Sequence, residues 1–136
     1  MARVFIDTGA FIARAVAKDQ HHTTAVRAWS SLKDDRLAIV SSEHVFDETL
    51  TLIARRVGYP YAADWGDLHL ASARIEWLRA RPEDLRVALA VMRKFADQAI
   101  SFTDCVSFTL MRRERMKIAF SFDKHFSIAG FDRYSG

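Results

Sequence analysis

The segment VFIDTGAF, residues 4–11, joins a short apolar run to an aspartate and two small residues. The run of Val4, Phe5 and Ile6 is typical of a buried strand, and Asp7 follows it directly. In open α/β sheets, ligands bind along the edge where the parallel strands end. A carboxylate is costly to remove from water unless a partner compensates its charge. The sequence therefore predicts that Asp7 lies at a ligand site and is paired with a group from elsewhere in the chain.

The composition indicates one folded domain. The chain has 136 residues, half of them hydrophobic, and includes ten Phe and three Trp. This is enough to form a substantial core, so we expect a single domain over residues 1–136. No apolar run approaches the ~20 residues of a membrane span, and Arg3 and Asp7 interrupt any secretory signal. The lone Cys105 excludes an internal disulfide framework, so we expect a cytoplasmic protein.

Arginine dominates the positive charge. The net charge is only +3, yet most of the 20 basic residues are Arg, which suits bidentate phosphate recognition. A surface laced with salt bridges would give the same composition. Charge alone therefore leaves a nucleic-acid partner open.

Predicted strands and helices alternate along the chain. Apolar patterns and capping signals predict the following elements. Strands are expected at residues 3–6, 37–40, 74–78 and 118–122, with an edge strand at 131–134, and helices at 10–17, 21–32, 41–57, 59–71 (short), 82–96 and 101–115. This alternation predicts an α/β fold, with a mostly parallel sheet of four to five strands covered on both faces.

The third predicted helix carries an apolar stripe, and the region after it is aromatic. Phe46, Leu50, Ile53 and Val57 follow helical spacing. A core role is favoured for this stripe, and a partner interface is the alternative. The aromatic residues Tyr59, Tyr61 and Trp65 are open to the same two interpretations.

Three more carboxylates, Glu48, Asp104 and Asp123, follow later strands. Each has a structural explanation of its own. Asp7 fits a strand-end turn, Glu48 a solvated helix face, and Asp123 a cap for the residues after it. Ser101 and Asp104 form the S-x-x-D pattern of a capping box.

The four acids together predict a metal site. They are all expected at the edge where the strands end, and four carboxylates in one pocket repel each other unless some are protonated or bind cations. Oxygen ligands favour Mg²⁺ or Mn²⁺ over zinc. The five histidines show no zinc-binding spacing, so we do not predict them as ligands. The sequence also lacks a G-x-S-x-G elbow and a glycine-rich phosphate loop.

Three motifs carry a resemblance to a known family. They are FIDTGAF at residues 5–11, SSEHVFDETLTLIARR at 41–56, and SFTDCVSFTLMRRERMKIAFSFDKHF at 101–126. In order, spacing and flanking strands the chain resembles a PIN domain, and it is most similar to the VapC toxins of VapBC toxin–antitoxin pairs. The resemblance implies a three-layer α/β/α sandwich. It also implies an Mg²⁺- or Mn²⁺-dependent endoribonuclease that acts on RNA, forms a homodimer and is neutralised by a small antitoxin.

The resemblance assigns roles to individual residues. The four family acids match Asp7, Glu48, Asp104 and Asp123 as catalytic residues, of which Asp7, Asp104 and Asp123 are the expected metal ligands. The hydroxyl residues that would bind substrate match Thr8 and Ser121, and many relatives have Thr at the latter position.

Other interpretations remain beside this one. Arg14, Lys18, Arg112 and Lys124 are candidates for guiding RNA toward the acids. A metal-dependent phosphatase or receiver-like domain is an alternative, although no second acid follows the first strand and no Asp follows the third. A non-catalytic module that binds RNA or an antitoxin is the other alternative.

Overall fold

The computed structural model describes all 136 residues and contains one five-stranded sheet. Its strands are β1 (Arg3–Ile6), β2 (Ala38–Ser42), β3 (Ile75–Leu78), β4 (Ile118–Phe120) and β5 (Asp132–Arg133). They are all parallel and lie in the order β3-β2-β1-β4-β5. The predicted α/β class and the edge strand near the end of the chain are confirmed.

Strand β1 lies at the centre because every side chain after Arg3 is apolar. Val4 pairs with Ile39 of β2 and with Ile118 of β4. Val4, Phe5 and Ile6 are completely buried although they alternate between the two faces, as expected when helices cover both faces of a parallel sheet. Both residues of the outer strand β5 are exposed.

Seven helices surround the sheet. They are α1 (Thr8–Ala15), α2 (His22–Asp34), α3 (Glu43–Arg56), α4 (Tyr59–Ala71), α5 (Pro82–Lys94), α6 (Phe102–Arg113) and α7 (His125–Ile128). Residues 59–71 form a full helix of 13 residues, not the short one predicted, with a proline in its first turn. Strand β4 ends at Phe120 and not at residue 122, because Ser121 begins a turn that its hydroxyl stabilises. None of the helices combines the length and the apolar character needed to cross a membrane.

The apolar stripe of α3 belongs to the core over most of its length. Ile53 is fully buried, and Phe46 and Leu50 pack where α3 and α4 cross. Gly66 permits this approach, since a Cβ there would lie 3.0 Å from Leu50 Cδ1. Val57, at the end of the stripe, is half exposed.

An aromatic cluster fixes α1 and α4 on the sheet. Phe11 contacts Trp29, Trp65 and Trp77, with ring centroids between 5.4 and 5.8 Å apart. Trp65 is therefore a core residue, whereas Tyr59 and Tyr61 are exposed.

The parallel sheet has two chemically distinct edges. We call the edge where the strands end the carboxyl edge and the edge where they begin the amino edge. Helix α1 starts at the carboxyl edge and runs back to the amino edge. Thr8 therefore lies beside the strand ends, and Arg14 lies beside Ile39 and Ile75 near the strand starts.

Candidate active site

A cavity of about 780 Å³ opens at the carboxyl edge, and all four predicted acids line it. They come from separate elements: Asp7 from the end of β1, Glu48 from α3, Asp104 from the first turn of α6, and Asp123 from the turn after β4. The topology thus brings together carboxylates that lie far apart in the sequence.

Asp7 is held at the N-terminus of α1 with one oxygen paired and one free. Its N–H donates to Phe120 O (3.0 Å), and its side chain does not cap the helix. Ser121 Oγ donates to Asp7 Oδ2 at 2.8 Å, while the buried Oδ1 has no partner. Burial, helped by the charges of Asp123 and Glu48, raises the pKa of Asp7 to about 6 although the hydrogen bond from Ser121 lowers it.

The two predicted hydroxyl residues are used differently. Thr8 lines the cavity, and its buried Oγ1 has no partner, so it is free to contact a ligand. Ser121 donates its only hydroxyl hydrogen to Asp7 and accepts from Asp123 N at 3.0 Å. Its hydroxyl therefore orients the acids. The predicted contact of Ser121 with substrate stays a prediction.

Asp104 is the most perturbed carboxyl of the site. Ser101 Oγ caps α6 by accepting from Asp104 N at 3.1 Å, but the carboxylate does not return the bond, so the capping box is only half formed. The carboxylate faces the cavity instead. Burial raises the pKa of Asp104 to about 8, followed by repulsion from Asp7 and Asp123.

His125 lies inside the acidic cluster, although its spacing did not predict it as a ligand. Its Nδ1 lies 3.1 Å from Asp123 Oδ1 and 3.9 Å from Asp104 Oδ2. This nitrogen is buried and, despite the short distance to Asp123, it forms no hydrogen bond. Asp123 Oδ1 also accepts from the His125 N–H at 2.9 Å, so Asp123 binds the first backbone N–H of α7 as well as facing the cavity. The D-x-H spacing after β4 was the available signal, because a turn at a strand end keeps both side chains at one edge.

Glu48 and two unpredicted residues complete the wall. Glu48 is partly exposed and lines the cavity. Asp19 Oδ2 accepts from Arg56 at 3.0 Å, and its Oδ1 accepts from His21 N at 2.9 Å. Burial alone would raise the pKa of Asp19, but these two hydrogen bonds together with the positive charge of Arg56 outweigh burial and hold the pKa below its usual range. Asp19 is thus a paired carboxylate, unlike Asp7.

Only one of the four cations proposed to guide RNA lines this cavity, and it is Lys124. Arg14 lies near the amino edge, stacked on Trp29. Arg112 donates to Ala129 O at 2.6 Å and lies over the Phe131 ring. Both arginines therefore make structural contacts away from the acids.

The cavity fits a divalent cation on the chemistry of its donors. The whole chain has four buried side-chain polar atoms without partners, and three of them are in this wall: Asp7 Oδ1, Thr8 Oγ1 and His125 Nδ1. Donor atoms of Asp104, Asp123 and His125 lie within 4.8 Å of one another. Carboxylate oxygens at this density suit Mg²⁺ or Mn²⁺, and the imidazole nitrogen adds a softer donor.

Sequence comparison identifies the family. The PIN domain model matches residues 4–132. A 23S rRNA-specific endonuclease of Mycobacterium tuberculosis, VapC20, is 34% identical over 129 residues, which cover 94% of this chain and 95% of that protein.

Solved structures agree with this identification. The crystal structure of the M. tuberculosis VapC20 toxin, which cleaves the sarcin–ricin loop, superposes with a TM-score of 0.86 at 31% identity and covers 94% of this chain and 95% of that one. The Rickettsia felis VapBC2 complex superposes with a TM-score of 0.69 at 12% identity, over 96% of both chains, which shows the shared fold alone. The chain therefore belongs to the PIN domain family and is VapC-like.

Proposed function

We propose that this protein is a divalent-metal-dependent endoribonuclease of the toxin type. The observation that carries the proposal is the set of buried, unpartnered donors at the carboxyl edge, among carboxylates whose pKa values burial and mutual repulsion have raised. Such a cluster is stable at neutral pH when a cation binds within it. Membership of the PIN domain family supports the same conclusion.

The chain's own residues have distinct tasks in this proposal. Asp7, Asp104 and Asp123 would hold Mg²⁺ or Mn²⁺, with His125 beside them. The bound ion supplies positive charge against a phosphodiester and lowers the pKa of water. Glu48 orients the attacking water and takes up its proton, and Thr8 Oγ1 donates to a phosphate oxygen. Ser121 keeps Asp7 in place through the 2.8 Å hydrogen bond.

The proposed substrate is structured RNA. VapC20, which is similar over nearly the whole chain, is a 23S rRNA-specific endonuclease. A stem-loop of the large ribosomal RNA is therefore the first substrate to test. Attack by water on phosphorus would leave a 5′-phosphate and a 3′-hydroxyl.

The partners follow from the same family. A complex of the VapBC type from R. felis shares the fold. We propose that a small antitoxin protein neutralises this chain, that the chain acts as one PIN domain over residues 1–136, and that it forms a homodimer in the cytoplasm.

The decisive experiment removes one acid without changing its shape. Asp104→Asn should reduce cleavage of a radiolabelled 23S rRNA sarcin–ricin stem-loop by about a thousandfold in Mn²⁺, since it removes several kcal/mol of charge stabilisation. Asp64→Asn is the matched control, because Asp64 is an exposed acid on α4 outside the cavity.

Two further readings make the test specific. EDTA should abolish cleavage by the unmodified protein, and Mn²⁺ should restore it. Calorimetry should show Mn²⁺ binding that Asp104→Asn weakens and Asp64→Asn preserves. Cleavage by Asp104→Asn at the unmodified rate would refute the assignment. RNA binding without cleavage in any metal would favour the non-catalytic alternative.

A further inference from the structure

The amino edge carries unpaired positive charge that the proposed cleavage reaction does not use. Three cavities of about 410, 350 and 290 Å³ open there, beside the starts of β1, β2, β3 and β4. The first and second share Ile39 and Arg74, and the second and third share Met1, so they form one continuous belt. No Asp or Glu lines any of the three.

The belt is rich in cations that lack acidic partners. Its basic side chains are Arg3, Arg14, Lys33, Arg36, Arg74, Arg115 and Lys117. Only Arg3 makes an ion pair, with Glu114 at 3.4 Å. The composition also allowed a surface with many salt bridges, but the belt is not such a surface. Its positive charge therefore remains available to a ligand.

Arg14 is the most constrained of these cations. Its guanidinium carbon lies 3.4 Å from the centre of the Trp29 ring, and its Nη2 lies 3.0 Å from His69 Nε2. His69 Nδ1 lies 2.7 Å from Trp65 O, so Nδ1 is the donor there and Nε2 accepts from Arg14. A neutral imidazole thus positions the guanidinium without cancelling its charge. Burial, and then repulsion from Arg74, lowers the pKa of Arg14 to about 10, as expected for two cations that share a cavity without an anion.

Two arginines of the belt have an unusual backbone conformation. Arg36 and Arg115 have φ of +53° and +57°, in the left-handed region that glycine adopts most readily. Each follows a helix, α2 or α6, at the position where glycine most commonly ends a helix. Both positions carry arginine despite the conformational cost, and both side chains are exposed on the belt.

We propose that this belt is a second RNA-binding surface, which binds backbone phosphates of a folded RNA at a distance from the phosphodiester that is cleaved. The proposal rests on the proposed function, since it takes RNA as the ligand. A row of unpaired cations along four strands matches the repeating charges of a nucleic-acid backbone, whereas an acidic peptide segment presents only a few charges. The arginine fork and the aromatic support of Arg14 suit phosphate oxygens.

The belt would make affinity depend on the length and shape of the RNA. Strand β1 separates the edges by roughly 13 Å, at about 3.3 Å per residue. A tetranucleotide bound among the acids has only three phosphodiesters and would have to pass around the helices that cover the sheet to reach the amino edge. A folded stem-loop offers many more phosphates and can contact both edges. The belt therefore selects structured RNA through its backbone and not through its bases.

The test reverses two exposed belt charges and measures binding, not cleavage. The probes are a stem-loop of about 30 nucleotides and a tetranucleotide, both bound to Asp104→Asn protein so that neither is cut. Adding Arg36→Glu and Arg74→Glu should lower the ratio of stem-loop affinity to tetranucleotide affinity at least tenfold. The negative slope of log affinity against log salt concentration for the stem-loop should become shallower by about two, because two phosphate contacts are lost. The matched control adds Arg27→Glu and Arg86→Glu, which change the net charge equally at exposed helix positions outside the belt.

The outcomes separate this proposal from the proposed function. An unchanged affinity ratio, or an equal fall in the control, would overturn the belt as an RNA surface even if the acids cleave RNA. Competition by poly-glutamate that depends on the two arginines, without any change in stem-loop binding, would also overturn it in favour of an acidic peptide. Arg14→Met, which keeps the apolar stem on Trp29, should lower the ratio about threefold while the melting temperature stays within a few degrees.

Discussion

The carboxyl edge and the amino edge differ in the sign of their charge, and helix orientation explains part of that difference. Helices α1, α3 and α6 begin at the carboxyl edge, where their positive dipole ends favour Asp7 and Asp104. Helices α1 and α2 end toward the amino edge, with Arg14 and Lys33 in their last turns. A parallel α/β sheet thus separates charge by its topology.

The two edges also differ in how much their charges destabilise the folded protein. A helix dipole contributes about 0.3–1 kcal/mol at an exposed site, which is too little to ionise Asp104 when burial and two neighbouring acids oppose it. Most cations of the amino edge are exposed, so they cost the fold little. The carboxyl edge should therefore respond to mutation in rate and stability, and the amino edge in affinity.

The largest expected effect comes from the centre of the carboxyl edge. Asp7→Asn keeps the shape of the side chain and its contact with Ser121, but removes the charge of the unpartnered Oδ1. Cleavage of the stem-loop should fall about a thousandfold, because several kcal/mol of charge stabilisation are lost. Arg115→Glu at the amino edge should change the single-turnover rate constant at saturating RNA less than threefold and weaken binding instead. A larger loss of rate from the arginine would erase the distinction between the edges.

The next effect is a pH dependence that only the carboxyl edge produces. Asp7 and Asp104 have native pKa values of about 6 and about 8, above the usual 3.8. Between pH 4 and 8 the native protein retains protons that the unfolded chain has released, so stability falls as pH rises through this window. The free energy of unfolding of metal-free protein should drop by on the order of 3 kcal/mol, measured by urea denaturation in EDTA.

Two comparisons show whether that fall arises from the acidic cluster. Asp104→Asn should flatten the curve and stabilise the metal-free protein near pH 8, although we expect it to cleave RNA about a thousandfold more slowly. Adding Mg²⁺ should restore stability to the unmodified protein mainly at high pH, where the ligands are deprotonated. Stability that rises from pH 5 to pH 8 in EDTA would contradict the raised pKa values.

A smaller effect is expected from the residue that orients Asp7. Ser121→Ala removes the 2.8 Å hydrogen bond and should lower the cleavage rate about 10- to 100-fold, as for other groups that hold a metal ligand. The lower limb of the pH–rate profile should move to higher pH, because Ser121 lowers the pKa of Asp7. Ser127→Ala, at an exposed serine of α7, should change neither. A rate loss without the pH shift would indicate general disruption of the turn.

The sequence predicted the carboxyl edge well because its determinants are local. Asp7 follows an apolar strand directly, and Asp104 lies in the first turn of a helix with a visible cap, so the topology alone brings them together. The end of β4 was wrong by two residues because the Ser121 hydroxyl bonds outside the ladder, which apolar spacing does not encode.

The amino edge was not predictable from the same patterns. Its cations lie in loops and in the last turns of helices that are distant in sequence. Taken singly, each of them looks like an ordinary solvent-exposed charge. Arg14 was one of the candidates for guiding RNA toward the acids, but it lies in the last turn of α1, at the opposite edge of the sheet from the acids. His125 was missed for another reason: it lies in the same turn as Asp123, and two side chains of one turn do not follow the i, i+4 spacing of helical metal sites.

The smallest expected effect tests whether Arg115, a cation of the amino edge, lowers the stability of the fold while contributing to RNA binding. Arg115 has φ of +57° after α6, a conformation that costs an L-residue about 1–2 kcal/mol. Arg115→Gly relieves that cost but loosens the unfolded chain and removes a cation from a helix end, so the free energy of unfolding should rise by only about 0.5 kcal/mol. Stem-loop affinity should fall about threefold, because one phosphate contact is lost.

Arg115→Lys retains the charge and the strain, and it should match the unmodified protein in urea denaturation and bind RNA nearly as well. If glycine both stabilises the fold and preserves affinity, the arginine has no part in binding RNA. If glycine destabilises the fold, the side chain supports the structure through contacts that outweigh its backbone strain.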